Sequence, residues 1–125
     1  MSLKKQPVYL NLMKIRFPVT ALCSILHRIT GILIFLSTPL LLWGLNQSLK
    51  SPAHFDHLKE TLHHPVMKVV IWLALSAFVY HAIAGIRHLV MDMGMAESIQ
   101  SARKTAFATL VLSVLAALGL GVWLC

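Results

Sequence analysis

The sequence has 125 residues, of which 58% are hydrophobic and only 12% are charged. A soluble domain carries about 25% charged residues, so this composition excludes an ordinary water-soluble fold and predicts a membrane protein. The net charge of +7 does not indicate nucleic-acid binding, because the basic residues precede apolar runs and nothing resembles a nucleic-acid module with interleaved aromatic side chains. We expect a single domain over residues 1–125.

The chain begins with a basic head, residues 1–16, which contains four basic residues and no acidic one. This bias predicts that the head is cytoplasmic. The first apolar segment, about 17–46, exceeds the roughly 20 residues that a bilayer crossing requires, and Pro39 predicts a kink within it. It is too long for the apolar core of a signal peptide, so we expect no cleavable signal.

A polar connection follows over residues 46–64, in which Ser51-Pro52 predicts a turn. Its four histidines are His54, His57, His63 and His64. Their spacing is irregular and no cysteine accompanies them, which favours solvated loop histidines over a metal site.

Two further apolar segments, about 65–93 and about 105–125, complete the chain. Pro65 suits the first turn of the second helix, and Gly119 and Gly121 in the third segment suit close helix contact. The sequence predicts an all-α membrane protein, with three transmembrane helices that form part of a shared helical bundle. With a cytoplasmic head, three crossings leave the carboxy terminus outside.

The two cysteines, Cys23 and Cys125, lie in different segments and match no metal-binding spacing. A disulfide requires their Cα atoms to lie within about 7 Å, which this topology does not favour. We interpret both as small buried apolar residues.

The first apolar segment carries ionisable side chains, which are costly at membrane depth and mark functional sites. Ser24, His27, Arg28 and Gly31 follow the i, i+3, i+4, i+7 pattern of one helix face. A hydroxyl and a guanidinium one turn apart can hold a quinone carbonyl and stabilise the anion formed during its reduction. Alternatively, Arg28 snorkels to the lipid headgroups, and the residues alone leave both interpretations open.

The second segment carries a similar stripe of His81, Gly85 and His88. A neutral imidazole is a good axial ligand for haem iron, and Gly85 would leave room for the flat porphyrin beside His81. His27, Arg28 and His88 could then pair with the haem propionates. Alternatively, His81 hydrogen-bonds a neighbouring helix and binds no iron.

The predicted topology brings the two stripes together. The start of the first span and the end of the second are separated by two crossings, so both lie on the cytoplasmic side. We therefore predict one site built from both segments. Asp92 lies near the same interface and could pair with Arg87 or Arg103.

These stripes resemble the signatures of a known family, the cytochrome b membrane-anchor subunits of succinate dehydrogenase (respiratory complex II). The matching residues are Ser24-x-x-His27-Arg28-x-Thr30-Gly31, then His81-x-x-x-Gly85-Ile86-Arg87-His88-x-x-Met91-Asp92-x-Gly94. Pro7-Val8-Tyr9-Leu10 resembles the family's amino-terminal stretch, with Gln6 where an arginine is usual. The resemblance covers nearly the whole chain.

The resemblance implies a four-subunit complex in a bacterial cytoplasmic membrane. A flavoprotein subunit oxidises succinate, an iron–sulfur subunit passes the electrons to ubiquinone, and two anchor subunits share one haem b. It implies that His81 is one axial ligand and that the second anchor supplies the other histidine. It also implies that Ser24 and Arg28 bind the quinone, that His27 and Arg28 meet the propionates, and that this chain has no succinate site.

Three alternatives remain open at the level of sequence. The anchor of a menaquinol-oxidising fumarate reductase would use the same residues. A small multi-span transporter could place His81 and Arg87 on a proton or substrate path, although no carboxylate lies deeper in a span than Asp92. A purely structural anchor would dock the soluble subunits without haem, and only the presence of His81 opposes it.

Overall fold

The computed structural model describes residues 17–95 and 98–125, which form four α-helices in chain order. They are α1 (Val19–Lys50), α2 (Pro52–His63), α3 (Pro65–Asp92) and α4 (Ile99–Leu124). Helices α1, α3 and α4 are long and apolar enough to cross a membrane, and the described residues include no strand. The predicted all-α class with three membrane-crossing helices is confirmed, whereas the basic head lies outside the described residues.

Two prolines set the boundaries of α2. Ser51 is extended, as expected for a residue that precedes a proline, and this ends α1. The Ser51 hydroxyl accepts a hydrogen bond from the His54 amide at 3.3 Å and caps α2, with Pro52 in its first turn. His64 is extended before Pro65 in the same way and separates α2 from α3.

The sequence prediction of a polar loop over residues 46–64 is therefore wrong, because most of this segment is helical. The Ser51-Pro52 pair that predicts a turn is the amino-terminal cap of α2. His54, His57 and His63 are exposed on this helix, and His64 is exposed just beyond it. Within the described ranges, no three histidine, cysteine or acidic side chains are grouped so that they could hold a metal ion.

Helix α3 ends at a left-handed glycine, Gly94, with φ of 78°. The Gly94 amide donates to the Met91 carbonyl at 2.9 Å, and the Met95 amide donates to the Val90 carbonyl at 3.2 Å. These two bonds form a Schellman motif, which satisfies carbonyls at the end of the helix. Glycine adopts this backbone conformation without the steric cost that a side chain would add.

Helix α3 packs between α1 and α4, and the core of the bundle is small. Its buried cluster comprises Cys23, Tyr80, Ala84 and Ala106. The Tyr80 hydroxyl lies 2.8 Å from the Cys23 carbonyl oxygen and donates to it, which ties α3 to α1. Cys23 is fully buried, as predicted, but Cys125 is exposed, because it caps the end of α4 beyond the packed core.

Arg87 joins α3 to α4. Its guanidinium is buried and donates to the Ala102 carbonyl and to the Thr105 hydroxyl, each at 3.1 Å. The suggested pairing of Arg87 with Asp92 is thus not observed, and Asp92 is exposed. These hydrogen bonds to a carbonyl and a hydroxyl partly replace the water that the guanidinium loses on burial.

The start of α3 and the end of α4 meet at Trp72, at the other end of these helices from Arg87. Its indole N–H donates to the Ala117 carbonyl at 2.7 Å. A Cβ on Gly121 would lie 3.3 Å from the indole nitrogen, so this glycine allows the close approach that the sequence predicts. The sequence predicts the same role for Gly119, but no described atom outside its own helix lies within 4 Å of a Cβ placed there.

The outer surface of the bundle is strongly apolar. Large side chains such as Phe35, Leu40 and Val122 are 76%, 70% and 81% exposed. A soluble protein rarely exposes contiguous apolar surface of this kind. This surface suits lipid tails or the helices of a membrane partner.

Candidate functional site

Three imidazole rings meet between α1 and α3. The rings of His27 and His81 stack with their centroids 4.1 Å apart and their planes 15° from parallel. The ring of His88 lies 5.0 Å from that of His27 and is tilted by 47°. The predicted convergence of the two helical stripes is confirmed for these histidines, while their functional roles stay predictions.

Each of the two stacked histidines packs over a glycine of the opposite helix. A Cβ on Gly31 would lie 3.0 Å from Cε1 of His81, and a Cβ on Gly85 would lie 3.4 Å from Nε2 of His27. The sequence assigns Gly85 to porphyrin clearance beside His81, but the structure places the His27 ring against it. The two glycines let α1 and α3 approach closely with an imidazole between them.

The hydrogen bonds of His81 define its tautomer. Its Nδ1 lies 3.0 Å from the carbonyl oxygen of His27 and 3.3 Å from the hydroxyl of Thr30. A carbonyl oxygen can only accept, so Nδ1 carries the proton and donates it. In the neutral imidazole Nε2 then keeps its lone pair, and it forms no hydrogen bond with any residue that the structure describes.

Thr30 is a contact that the sequence analysis missed. Its hydroxyl lies 2.9 Å from the Leu26 carbonyl oxygen and 3.0 Å from the His27 carbonyl oxygen, and it donates within the helix. The oxygen lone pairs remain available to the Nδ1 proton of His81. The spacing of the residues could have revealed this contact, because Thr30 lies three residues after His27 and therefore on the same side of α1.

Ser24 and Arg28 lie at the margin of this cluster. Cys23, His27 and Gly31 contact α3, whereas Ser24 is half-buried and Arg28 is exposed. One residue turns an α-helix by about 100°, so Arg28 points away from the direction of His27. The residues predicted to share one face of α1 are thus divided: the His27 imidazole lies between the helices, and the Arg28 guanidinium lies on the outer surface of the bundle.

The fold and the site define a class of protein: a bundle with three helices able to cross a membrane and an imidazole cluster between two of them. The family model described as "Succinate dehydrogenase/Fumarate reductase transmembrane subunit" matches residues 2–120. The chain belongs to this family, and it is a transmembrane subunit.

Curated relatives agree over most of the chain. The succinate dehydrogenase cytochrome b556 subunit of Coxiella burnetii is 42% identical over 121 residues, which cover 96% of this chain and 97% of the relative. The Paracoccus denitrificans subunit of the same name is 30% identical over 112 residues, covering 90% and 86%. The mitochondrial cytochrome b560 subunit of Bos taurus is 37% identical over 101 residues, covering 78% and 59%.

Proposed function

We propose that this chain is a cytochrome b anchor subunit of succinate:quinone oxidoreductase and that His81 binds the iron of haem b. The observation that carries the proposal is the hydrogen bond from His81 Nδ1 to the His27 carbonyl, which leaves Nε2 as a free ligand. Metal-binding histidines commonly donate their second ring N–H to a carbonyl or a carboxylate. The relatives are named as cytochromes, which supports the same cofactor.

The remaining groups of the cluster suit the two propionates of haem b. The ring centroids of His27 and His88 lie 5.0 Å apart, and Arg28 follows His27 on α1. Cationic or hydrogen-bonding side chains stabilise carboxylates far better than lipid does. When bound, the haem would supply one-electron transfer.

We assign quinone binding to Ser24 and Arg28. They lie one helical turn apart, and the exposed guanidinium can reach a ligand outside the bundle. The hydroxyl and the guanidinium would orient a ubiquinone carbonyl, and the positive charge would stabilise the anion that reduction produces. The basic head supports a cytoplasmic location for this end of α1, where an iron–sulfur subunit would deliver electrons from the flavoprotein.

The site supports a second anchor subunit as a partner. His81 offers one nitrogen for one axial position, and the described helices leave a large apolar surface uncovered. We expect the chain expressed without the second anchor to retain little haem, and co-expression to restore it. Haem quantitation on both purified samples measures this, and full haem on the lone subunit would contradict the shared site.

Fumarate reductase remains the alternative, since the family includes transmembrane subunits of both enzymes. These relatives are named as subunits of succinate dehydrogenase, which favours succinate oxidation. Membership of this family also favours an electron-transfer subunit over a transporter. Comparing succinate-driven ubiquinone reduction with menaquinol-driven fumarate reduction by the purified complex decides the direction.

The proposal is tested by a dithionite-reduced minus oxidised spectrum of the chain purified with its membrane partners. We expect a sharp b-type α-band, together with succinate-dependent quinone reduction. A complex that contains flavin and iron–sulfur clusters but no haem would reduce the proposal to a structural anchor. Purification with no soluble subunits would contradict the anchor role itself.

A further inference from the structure

We propose that α1 positions the His81 ring, with Gly31 setting the position of the ring and the His27 carbonyl and Thr30 hydroxyl setting its orientation. This inference rests on the proposed role of His81 as the haem ligand and extends it to the groups behind that ligand. It assigns a function to two residues, Thr30 and Gly31, that contact neither the iron nor the quinone in the proposed site.

The position of the ring depends on the absence of a side chain at Gly31. A Cβ there would lie 3.0 Å from Cε1 and 3.5 Å from Nδ1 of His81. Carbon atoms pack favourably at about 3.5–4.0 Å, so an added methyl group must displace the ring. The ring cannot move freely, because His27 stacks on one face and Nδ1 is held by a hydrogen bond of 3.0 Å.

The orientation of the ring depends on two acceptors from α1. The His27 carbonyl and the Thr30 hydroxyl lie 3.0 and 3.3 Å from Nδ1, so both can share its proton. Hydrogen bonding at this nitrogen makes the imidazole more basic at Nε2. A more basic ligand stabilises ferric iron over ferrous iron, so these contacts lower the midpoint potential of the haem.

The steric part is tested with Gly31→Ala in the complete complex, with Gly44→Ala as the matched control. Both glycines lie within α1, and both changes favour the helix, but nothing lies within 4 Å of a Cβ on Gly44. We expect Gly31→Ala to shift the haem midpoint potential and to let the reduced haem bind carbon monoxide, because the His81 bond weakens. The Gly44→Ala complex should match the wild type in both measurements.

An unchanged potential with no carbon monoxide binding in Gly31→Ala would overturn the role of Gly31.

The hydrogen-bonding part is tested separately with Thr30→Val, which keeps the side-chain shape but removes the hydroxyl, and with Thr30→Ser, which retains it. We expect an upward shift of the midpoint potential in Thr30→Val and recovery in Thr30→Ser. Equal potentials in the wild type and Thr30→Val would overturn the role of Thr30. This pair also decides the positioning inference if Gly31→Ala fails to assemble.

The role of His81 as ligand and the positioning role of α1 are contradicted by different results. If His81→Ala keeps a wild-type haem spectrum in an assembled complex, the proposed ligand is wrong, whatever the α1 variants do. If the haem depends on His81 but the Gly31→Ala and Thr30→Val complexes match the wild type, the ligand stands and the positioning role of α1 is wrong.

Discussion

Replacing His81 with alanine is expected to abolish the b-type α-band of the assembled complex or to perturb it strongly. The variant removes the Nε2 lone pair that would occupy one axial position, and alanine offers no nitrogen in its place. The measurement is the reduced minus oxidised spectrum, with haem content expressed per flavin so that incomplete assembly is counted separately.

The matched control is His63→Ala, which removes an exposed histidine from α2, away from the cluster. It should leave the spectrum unchanged. A wild-type spectrum in His81→Ala would instead direct attention to His27, whose ring lies 4.1 Å from that of His81. Loss of flavin together with haem would show that the substitution prevented assembly, and His81→Met, which offers a different axial ligand, would then be the informative variant.

Replacing Arg28 with leucine is expected to impair quinone reduction far more than reduction of a soluble dye. The dye would take electrons from the soluble subunits, whereas quinone reduction would depend on the guanidinium proposed to stabilise the reduced anion. Loss of one such donor costs roughly a hundredfold to a thousandfold in rate in other active sites. The measurement is the ratio of succinate–ubiquinone to succinate–dye activity in the same preparation.

Arg103→Leu is the control for this experiment, because Arg103 is also an exposed arginine on a membrane-crossing helix. Its activity ratio should remain that of the wild type. Equal losses of both activities in Arg28→Leu would indicate failed assembly and identify no site. Unchanged activities would favour the snorkelling interpretation, in which Arg28 contacts lipid headgroups.

Hydropathy alone was sufficient to predict the three long helices. Burying unpaired backbone groups in lipid is so costly that apolar runs of this length must be helical. The short polar helix α2 lacks this constraint, and no apolar run marks it. Its signals were the Ser51 cap and Pro52, which the sequence analysis interpreted as a turn, since both residues are also common in turns.

The meeting of His27 with His81 and His88 was predictable without any packing information. The number of crossings places the two stripes at one end of the bundle, and helical periodicity gathers each stripe on one side. The sequence could not predict which atoms touch, because spacing specifies neighbours within a helix but not the rotation of one helix against another.

The sequence by itself thus determined the class of protein, the three apolar helices and the end of the bundle where the histidines meet. Only the tertiary structure decided that Gly31 lies under His81, that Gly85 lies under His27 and that Arg87 turns to α4. The physical reason is one of scale. Hydrophobicity and periodicity act over whole helices, whereas these contacts depend on helix rotations and shifts of about an ångström, which the packing of all the side chains sets together.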